Sequence, residues 1–207
     1  QMCIRDRSNT AVGRSALQNT TTADDNSALG YFALGSNTTG ASNTAVGEQA
    51  LYANTTASNN TAVGRLALFA NTTGASNTGI GANALDANTT GTLNTAVGRE
   101  CLTANTTGDK NSAVGKGALG SNTTADNNTA MGFDALVNNT TGFQNVAVGS
   151  VSLDANTEGY KNTALGHAAL TSNTTGLENT ALGHNSLAAN TTANFNIAVG
   201  RSALAAN

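Results

Sequence analysis

The chain has no proline, no tryptophan, and few aromatic or charged side chains. Across its 207 residues, aromatic residues make up 4% and charged residues 10%. Without proline, every residue keeps a backbone N–H that can donate to a β-ladder. Ordinary globular domains carry about 25% charged residues. The composition therefore favours a regular architecture joined by backbone hydrogen bonds over a conventional globular core.

Basic charge, long apolar runs and cysteine are also scarce. The formal net charge is −3, whereas nucleic-acid-binding proteins have a basic patch or stripe, so we expect no nucleic-acid partner. No apolar run approaches the ~20 residues that a membrane-spanning helix needs, so we expect no membrane span. Cys3 lies in an atypical N-terminal segment. Cys101 replaces the Ala that usually precedes a repeated Leu, which predicts a small buried thiol.

One 17-residue unit repeats along the chain without insertion or deletion, with the consensus N-T-A-V-G-x-x-A-L-x-x-N-T-T-G-x-x. We number the positions of this unit as places one to seventeen. Eleven complete units occupy 9–195 and a partial twelfth occupies 196–207. Place one is Asn in every unit: Asn9, Asn26, Asn43, Asn60, Asn77, Asn94, Asn111, Asn128, Asn145, Asn162, Asn179 and Asn196. Such a fixed length predicts that each unit stacks on the next one.

The first seven residues, QMCIRDR, do not belong to this pattern. Back-translated, Met2 to Asp6 fits the end sequence of a sequencing adapter. We therefore interpret 1–7 as an assembly scar on a translated environmental fragment. Residues 8–207 are predicted to form a single solenoid domain that is truncated at both ends.

The residue types of the unit predict an all-β fold. Gly, Thr and Asn are poor residues for a helix interior, and NTAVG, with an aliphatic centre between turn formers, is typical of a short strand. The following xxALxxN segment fits either a second strand or one helical turn. Strands of successive coils stack about 4.8 Å apart, whereas a helix is about 10 Å wide. We therefore predict a parallel β-solenoid (β-roll) with one unit per coil. The alternative is a strand plus one short helical turn per coil.

Stacking assigns a side to each repeated residue. We expect the Asn residues at places one and twelve to form ladders along the stack. The Leu at place nine should fill the interior against the aliphatic residue at place four. Since neighbouring side chains of a strand point to opposite faces, the Ala of each "AV" and "AL" pair should point outwards. Two stripes of Ala would then favour a homo-oligomer that buries them.

The motifs NTAVG, NSALG, NSAVG and NTALG, each followed by x-x-A-L or a close variant, resemble the head repeats of trimeric autotransporter adhesins. They are also similar to the Asn-, Thr- and Gly-rich repeats that precede the self-cleaving chaperone domain in phage tail fibres. The adhesin unit is shorter and lacks the NTTG segment. The resemblance covers 9–207 and implies a left-handed parallel β-roll, three chains around one axis, and an extracellular location on a cell surface or a virion.

Residues that could carry chemistry are sparse. His167 and His184 occupy place six of adjacent units, so the rings should lie about 5 Å apart. Two ligands without a third make a poor transition-metal site, so we predict no metal and no cofactor. Asp109 and Asp126 share place sixteen in adjacent coils, where mutual repulsion is expected.

Catalysis is not predicted either. Glycosidases need two convergent carboxylates roughly 5 to 10 Å apart, but the acids of this chain are spread over different coils and columns: Glu48, Glu100, Asp134 and Asp154. We therefore predict a non-enzymatic fibre segment that serves as a rigid spacer or contacts a host-surface receptor or glycan. The alternative is an ice-binding solenoid that uses the Thr columns of NTT.

Overall fold

Twelve consecutive units stack into one parallel β-solenoid, as the repeat predicts. The structure, a computed structural model, describes the backbone of residues 2–5 and all of residues 8–206. Its strands form a single 13-stranded sheet in which spatial order follows chain order. The first strand, β1 (Met2–Arg5), pairs antiparallel with the strand of the first unit. All later neighbours pair in parallel.

Each unit contributes one short strand at places two to four, and the first unit adds its Asn. The strands are β2 (Asn9–Val12), β3 (Ser27–Leu29), β4 (Thr44–Val46), β5 (Thr61–Val63), β6 (Thr78–Ile80), β7 (Thr95–Val97), β8 (Ser112–Val114), β9 (Thr129–Met131), β10 (Val146–Val148), β11 (Thr163–Leu165), β12 (Thr180–Leu182) and β13 (Ile197–Val199). Identical places are always paired: Ala45, for example, is opposite Ala62.

The rest of each coil consists of tight turns, and the described residues contain no helix. The predicted alternative with one helical turn per coil is therefore wrong. In the fourth unit the N–H of Ala67 donates to Gly64 O at 3.3 Å, and the N–H of Asn71 donates to Leu68 O at 3.2 Å. Leu66 and Leu68 both have positive φ, 58° and 52°. These left-handed residues at places seven and nine turn the chain without an extended or helical segment.

Gly64 at place five shows why the residue after the strand is always Gly. Its φ is +134°, and a Cβ built there would lie 2.5 Å from the carbonyl oxygen of Gly81 in the next coil. Such a φ is essentially restricted to Gly. The corner therefore combines an unusual backbone conformation with close contact between coils.

The facing predicted for the strand is wrong, because Ala points inwards and the aliphatic residue points outwards. Ala62 and its equivalents at place three are buried, whereas Leu29 is 50% exposed and Val63 is half-buried. The reason is the small interior of a 17-residue coil. A Cβ built at Gly79, in place three, would lie 3.3 Å from the Cγ of Leu68 in the preceding coil. Once the place-nine Leu is inside, only a methyl group fits at place three.

The second predicted Ala stripe is absent as well. Ala67 and Leu68 are both fully buried although they are neighbours in sequence. Strand alternation does not apply here, because the left-handed residues at places seven and nine rotate both side chains towards the interior. The core is therefore a column of Leu surrounded by Ala methyl groups from places three and eight.

Two Asn ladders complete the interior, as predicted. At place twelve, Nδ2 of Asn88 donates to Oδ1 of Asn71 at 2.8 Å and to the carbonyl of Gly91 at 3.0 Å. At place one, Oδ1 of Asn60 accepts the backbone N–H of Asn77 at 2.9 Å. Nearly all of these side chains are fully buried. The Asn side chains therefore fill the part of the interior that Leu and Ala leave open. Their amide groups bond to the neighbouring coils and to nearby backbone carbonyls.

Candidate functional site

The outer side of the parallel sheet is a continuous uncharged surface, which we call the strand face. It consists of the residues at places two and four of every unit. Place two is mostly Thr or Ser, and place four is Val12, Leu29, Val46, Val63, Ile80, Val97, Val114, Met131, Val148, Leu165, Leu182 and Val199. Each of these aliphatic side chains is half-buried or exposed. The chain thus presents a flat row of hydroxyl groups beside a row of aliphatic groups.

The corner after the strand carries most of the positive charge. We call the residues at place six the place-six column: Arg14, Tyr31, Glu48, Arg65, Ala82, Arg99, Lys116, Phe133, Ser150, His167, His184 and Arg201. Of the seven Lys and Arg residues in 8–206, five belong to this column, and all five are exposed. The net charge of the chain gives no sign of this segregation, although the place and the charge of each residue can be read from the repeat.

His167 and His184 are adjacent, as the repeat predicts. Their ring centroids lie 5.2 Å apart and the ring planes are inclined by 11°. No group of three or more His, Cys, Asp or Glu residues suited to a metal ion occurs in the described part of the chain. Two imidazoles alone would leave the remaining ligands of a metal to water. The stacked rings are therefore explained by packing along the column.

Three of the four carboxylates considered for catalysis form ion pairs or hydrogen bonds with nearby side chains. Glu48 lies 3.7 Å from the guanidinium of Arg65, and Glu100 contacts Arg99 at 2.6 Å. Asp154 accepts a hydrogen bond of 2.6 Å from the hydroxyl of Thr171 in the next coil. Asp134, at place seven, is half-buried. The structure does not bring these four residues together.

Asp109 and Asp126 each accept a hydrogen bond from a backbone N–H of the preceding coil. Oδ1 of Asp109 accepts the backbone N–H of Thr92 at 2.6 Å, and Oδ1 of Asp126 accepts the backbone N–H of Asp109 at 2.7 Å. Ser58 does the same for Ala41. Place sixteen therefore caps a backbone donor of the preceding coil. The recurrence of Asp, Ser and Asn at this place was a sequence signal for that role.

Cys101 is buried among its neighbours, as predicted. Burial raises the pKa of its thiol to about 12, and a hydrogen bond to the backbone of Val97 lowers it by less. A thiol with so high a pKa is almost fully protonated at neutral pH, and only the thiolate is a strong nucleophile. Cys101 therefore serves as a core residue in place of Ala.

The Thr residues of NTT divide into two columns with different surroundings. At place thirteen, the hydroxyl of Thr72 donates to the carbonyl of Thr89 at 3.0 Å, and Thr72 is half-buried. At place fourteen, Thr73 is exposed. The two Thr columns therefore differ in exposure, and the hydroxyl of Thr72 is used between coils.

The described residues include no helix that is long and apolar enough to cross a membrane. The chain matches no family model, no curated protein and no solved structure.

Proposed function

We propose that this chain is a non-catalytic structural or adhesive segment of an extracellular fibre, displayed on a cell surface or a virion. The observation that carries this proposal is the strand face, an uncharged surface on which an outward-facing aliphatic row runs beside the place-two row over all twelve units. Contiguous apolar surfaces larger than a few hundred Å² are rare on monomeric proteins and mark interaction sites. The resemblance of the repeats to adhesin heads and tail fibres supports the same role.

The coil-to-coil bonding suits a rigid spacer. From the second coil to the eleventh, each coil is joined to the next by parallel strand pairing, by two Asn ladders and by hydrogen bonds between turns, such as that from Leu68 N to Ala84 O at 2.9 Å. Bending such a stack would break bonds on one side of it. The chain can therefore hold apart whatever lies at its two ends.

The strand face also defines how copies would associate. A place-four row of Val, Leu, Ile and Met side chains can pack against the same row of another copy, because the coil spacing of the two copies is identical. A closed assembly with rotational symmetry buries this face in every copy. We propose a homotrimer around one axis.

Ice binding draws less support from the geometry. The place-thirteen hydroxyls are used between coils, which leaves the single exposed column at place fourteen. On the strand face, the row beside the hydroxyls varies from Val to Met. Ice binding requires a regular surface that matches the ice lattice, so this variation favours packing against a protein. Thermal hysteresis of the purified protein separates the two functions, since a fibre segment should show none.

The assembly can be tested by sedimentation equilibrium of the 207-residue chain. We expect an oligomer, with a mass of three chains, that the double variant Val63→Lys/Val97→Lys disrupts. Two charges on the strand face would have to be desolvated on association, which costs several kcal/mol for an unpaired ion. The predicted result is a monomer or a much weaker oligomer for this variant.

The matched control is Thr73→Lys/Thr107→Lys, which places the same charges on the same two coils at the exposed place fourteen. This control should keep the mass of the parent. A parent chain that remains monomeric at high concentration contradicts the proposal. So does an equal loss of association in both double variants.

A further inference from the structure

We propose that the place-six column binds a linear acidic glycan, such as a polyuronate. This inference rests on the proposed function, because it assumes that the segment is exposed to polymers outside the cell. It specifies the chemistry of the partner that such a segment contacts and the surface that contacts it.

Most of the positive charge lies in the place-six column. The chain as a whole is acidic, with a net charge of −3, yet Arg14, Arg65, Arg99, Lys116 and Arg201 lie in one column. Only two cations of the described residues lie elsewhere, Lys110 and Lys161, both at place seventeen. Because like places stack about 4.8 Å apart, the five cations lie along one side of the solenoid, in units one, four, six, seven and twelve.

Within the part of the chain that the structure describes, three of these cations form no ion pair: Arg14, Lys116 and Arg201. Among the described residues, the column's ion pairs are those of Arg65 with Glu48 and of Arg99 with Glu100. Arg14 and Lys116 instead lie over aromatic rings of the next coil. The Arg14 guanidinium is 5.7 Å from the centroid of Tyr31, and the Lys116 ammonium is 5.1 Å from that of Phe133.

These two cation–ring pairs suit an acidic sugar. Tyr31 and Phe133 remain 41% and 49% exposed, so each offers apolar surface to the C–H groups of a pyranose. The adjacent cation can bind a carboxylate of the same sugar or of the next one. The ring also holds the cation in place by a cation–π contact, which reduces the entropy that binding must overcome.

A nucleic acid fits this surface less well. The basic row is one residue wide, and Glu100 and Asp134 occupy the adjoining place seven. A duplex is wider than this row, so its phosphates would approach those carboxylates. Proteins that bind single strands do so in a positively charged groove with bases stacked on aromatic rings. A narrow glycan with spaced charges can remain on the row.

The test measures binding of fluorescently labelled alginate, a linear polyuronate, to the 207-residue chain at low salt. Labelled dextran serves as the neutral polymer and oligo(dT) as the nucleic acid. We expect alginate to bind, dextran not to bind and oligo(dT) to bind more weakly than alginate. Alginate affinity should fall as salt is added, because exposed charges are screened.

The decisive comparison is between Arg14→Gln/Lys116→Gln, in the column, and Lys110→Gln/Lys161→Gln, outside it. Both double variants remove two exposed positive charges. The column variant should weaken alginate binding roughly two- to thirtyfold, the range expected for two surface charge contacts, whereas the control should bind like the parent. Circular dichroism verifies that both variants are folded.

Three results would overturn the inference: no binding of alginate by the parent, equal losses in the two double variants, or tighter binding of oligo(dT) than of alginate. Sedimentation of the same proteins distinguishes this failure from failure of the proposed function. Neither double variant alters the strand face, so an oligomer that forms without binding alginate contradicts only the glycan inference.

Discussion

The Leu at place nine has an unfavourable backbone conformation and a favourable, fully buried side chain. Leu119 has a φ of 53°, and the left-handed conformation costs roughly 1–2 kcal/mol for a residue other than Gly. Its side chain is fully buried, which contributes about 1.5–3 kcal/mol. Its N–H also donates to Ala135 O at 3.0 Å. The left-handed backbone directs the side chain into the core. The free energy gained by burying that side chain offsets the conformational cost.

Replacing Leu119 with Asn should therefore destabilise the protein although Asn adopts positive φ more readily than Leu does. The substitution removes apolar contacts and places an amide among Ala methyl groups, at a cost of about 2–4 kcal/mol. Urea denaturation of variant and parent measures the difference in the free energy of unfolding. Thr124→Asn, at an exposed place of the same coil, should change it by less than about 0.5 kcal/mol. Equal stability of both variants would contradict the interior position of Leu119.

At the scale of the element, the Asn ladders bond nearly all of the polar interior of the coils; among the described residues, Oδ1 of Asn190 at the last described rung is an exception. Asn88 donates to the Asn71 side chain and to Gly91 O, and its own Oδ1 accepts from Asn105 at 2.8 Å. Buried amides that lack partners cost about 1–3 kcal/mol each. The ladder therefore stabilises the stack only while each Asn has Asn neighbours at the same place.

Asn88→Asp tests this ladder and should make stability depend on pH. The new carboxylate would direct one oxygen at the acceptors of Asn71 and Gly91, so burial and repulsion should raise its pKa above the ordinary value of about 3.9. The folded state then holds the proton more tightly than the unfolded state. The penalty, roughly 3–5 kcal/mol at pH 7, should consequently decrease as the pH falls from the raised folded-state pKa towards the unfolded-state pKa of about 3.9.

The measurement is the free energy of unfolding of this variant minus that of the parent between pH 3 and pH 8. Asn59→Asp is the control, because Asn59 lies at the exposed place seventeen and should show a small difference at every pH. A constant difference for Asn88→Asp across this range would be incompatible with a buried ladder.

At the scale of the whole molecule, each coil contacts only its neighbours. Stability should then be a sum of contributions from coils and from the contacts between them. The order of the strands in the sheet follows chain order from β1 to β13. Strand pairing therefore joins only units that are consecutive in the sequence. The register of each coil on the next is consequently the main structural constraint on the chain.

This constraint predicts that a large deletion is tolerated better than a small one. Removing residues 111–127, one complete unit, joins place seventeen to place one and preserves every ladder. Removing only Ala113, in the middle of β8, shifts the following residues and exchanges their faces. Thermal melting followed by circular dichroism should show a modestly lower midpoint for the 17-residue deletion and a far lower one for the single deletion. The reverse order would mean that the coils are not in register by place.

The sequence by itself determined the period, the position of the strand and the stacking of like residues. A 17-residue repeat without insertions allows only an in-register stack, so the adjacency of His167 and His184 and the ladders of Asn71 and Asn88 could be predicted. The burial of the repeated Leu was predicted as well, since it is the one large apolar residue that does not vary. These features depend on local residue types and on periodicity alone.

The tertiary structure decided which residue of each apolar pair faces the core. Alternation along a strand predicts that Ala62 and Val63 point to opposite sides, but only the volume of the closed coil determines that Ala62 is inside. Left-handed conformations at Leu66 and Leu68 have no marker in the sequence, because neither residue favours positive φ. Likewise, net charge sums over all residues regardless of place. The repeat already assigned most Lys and Arg residues to place six, but only the closed coil decided that this column lies beside an outward-facing aliphatic row.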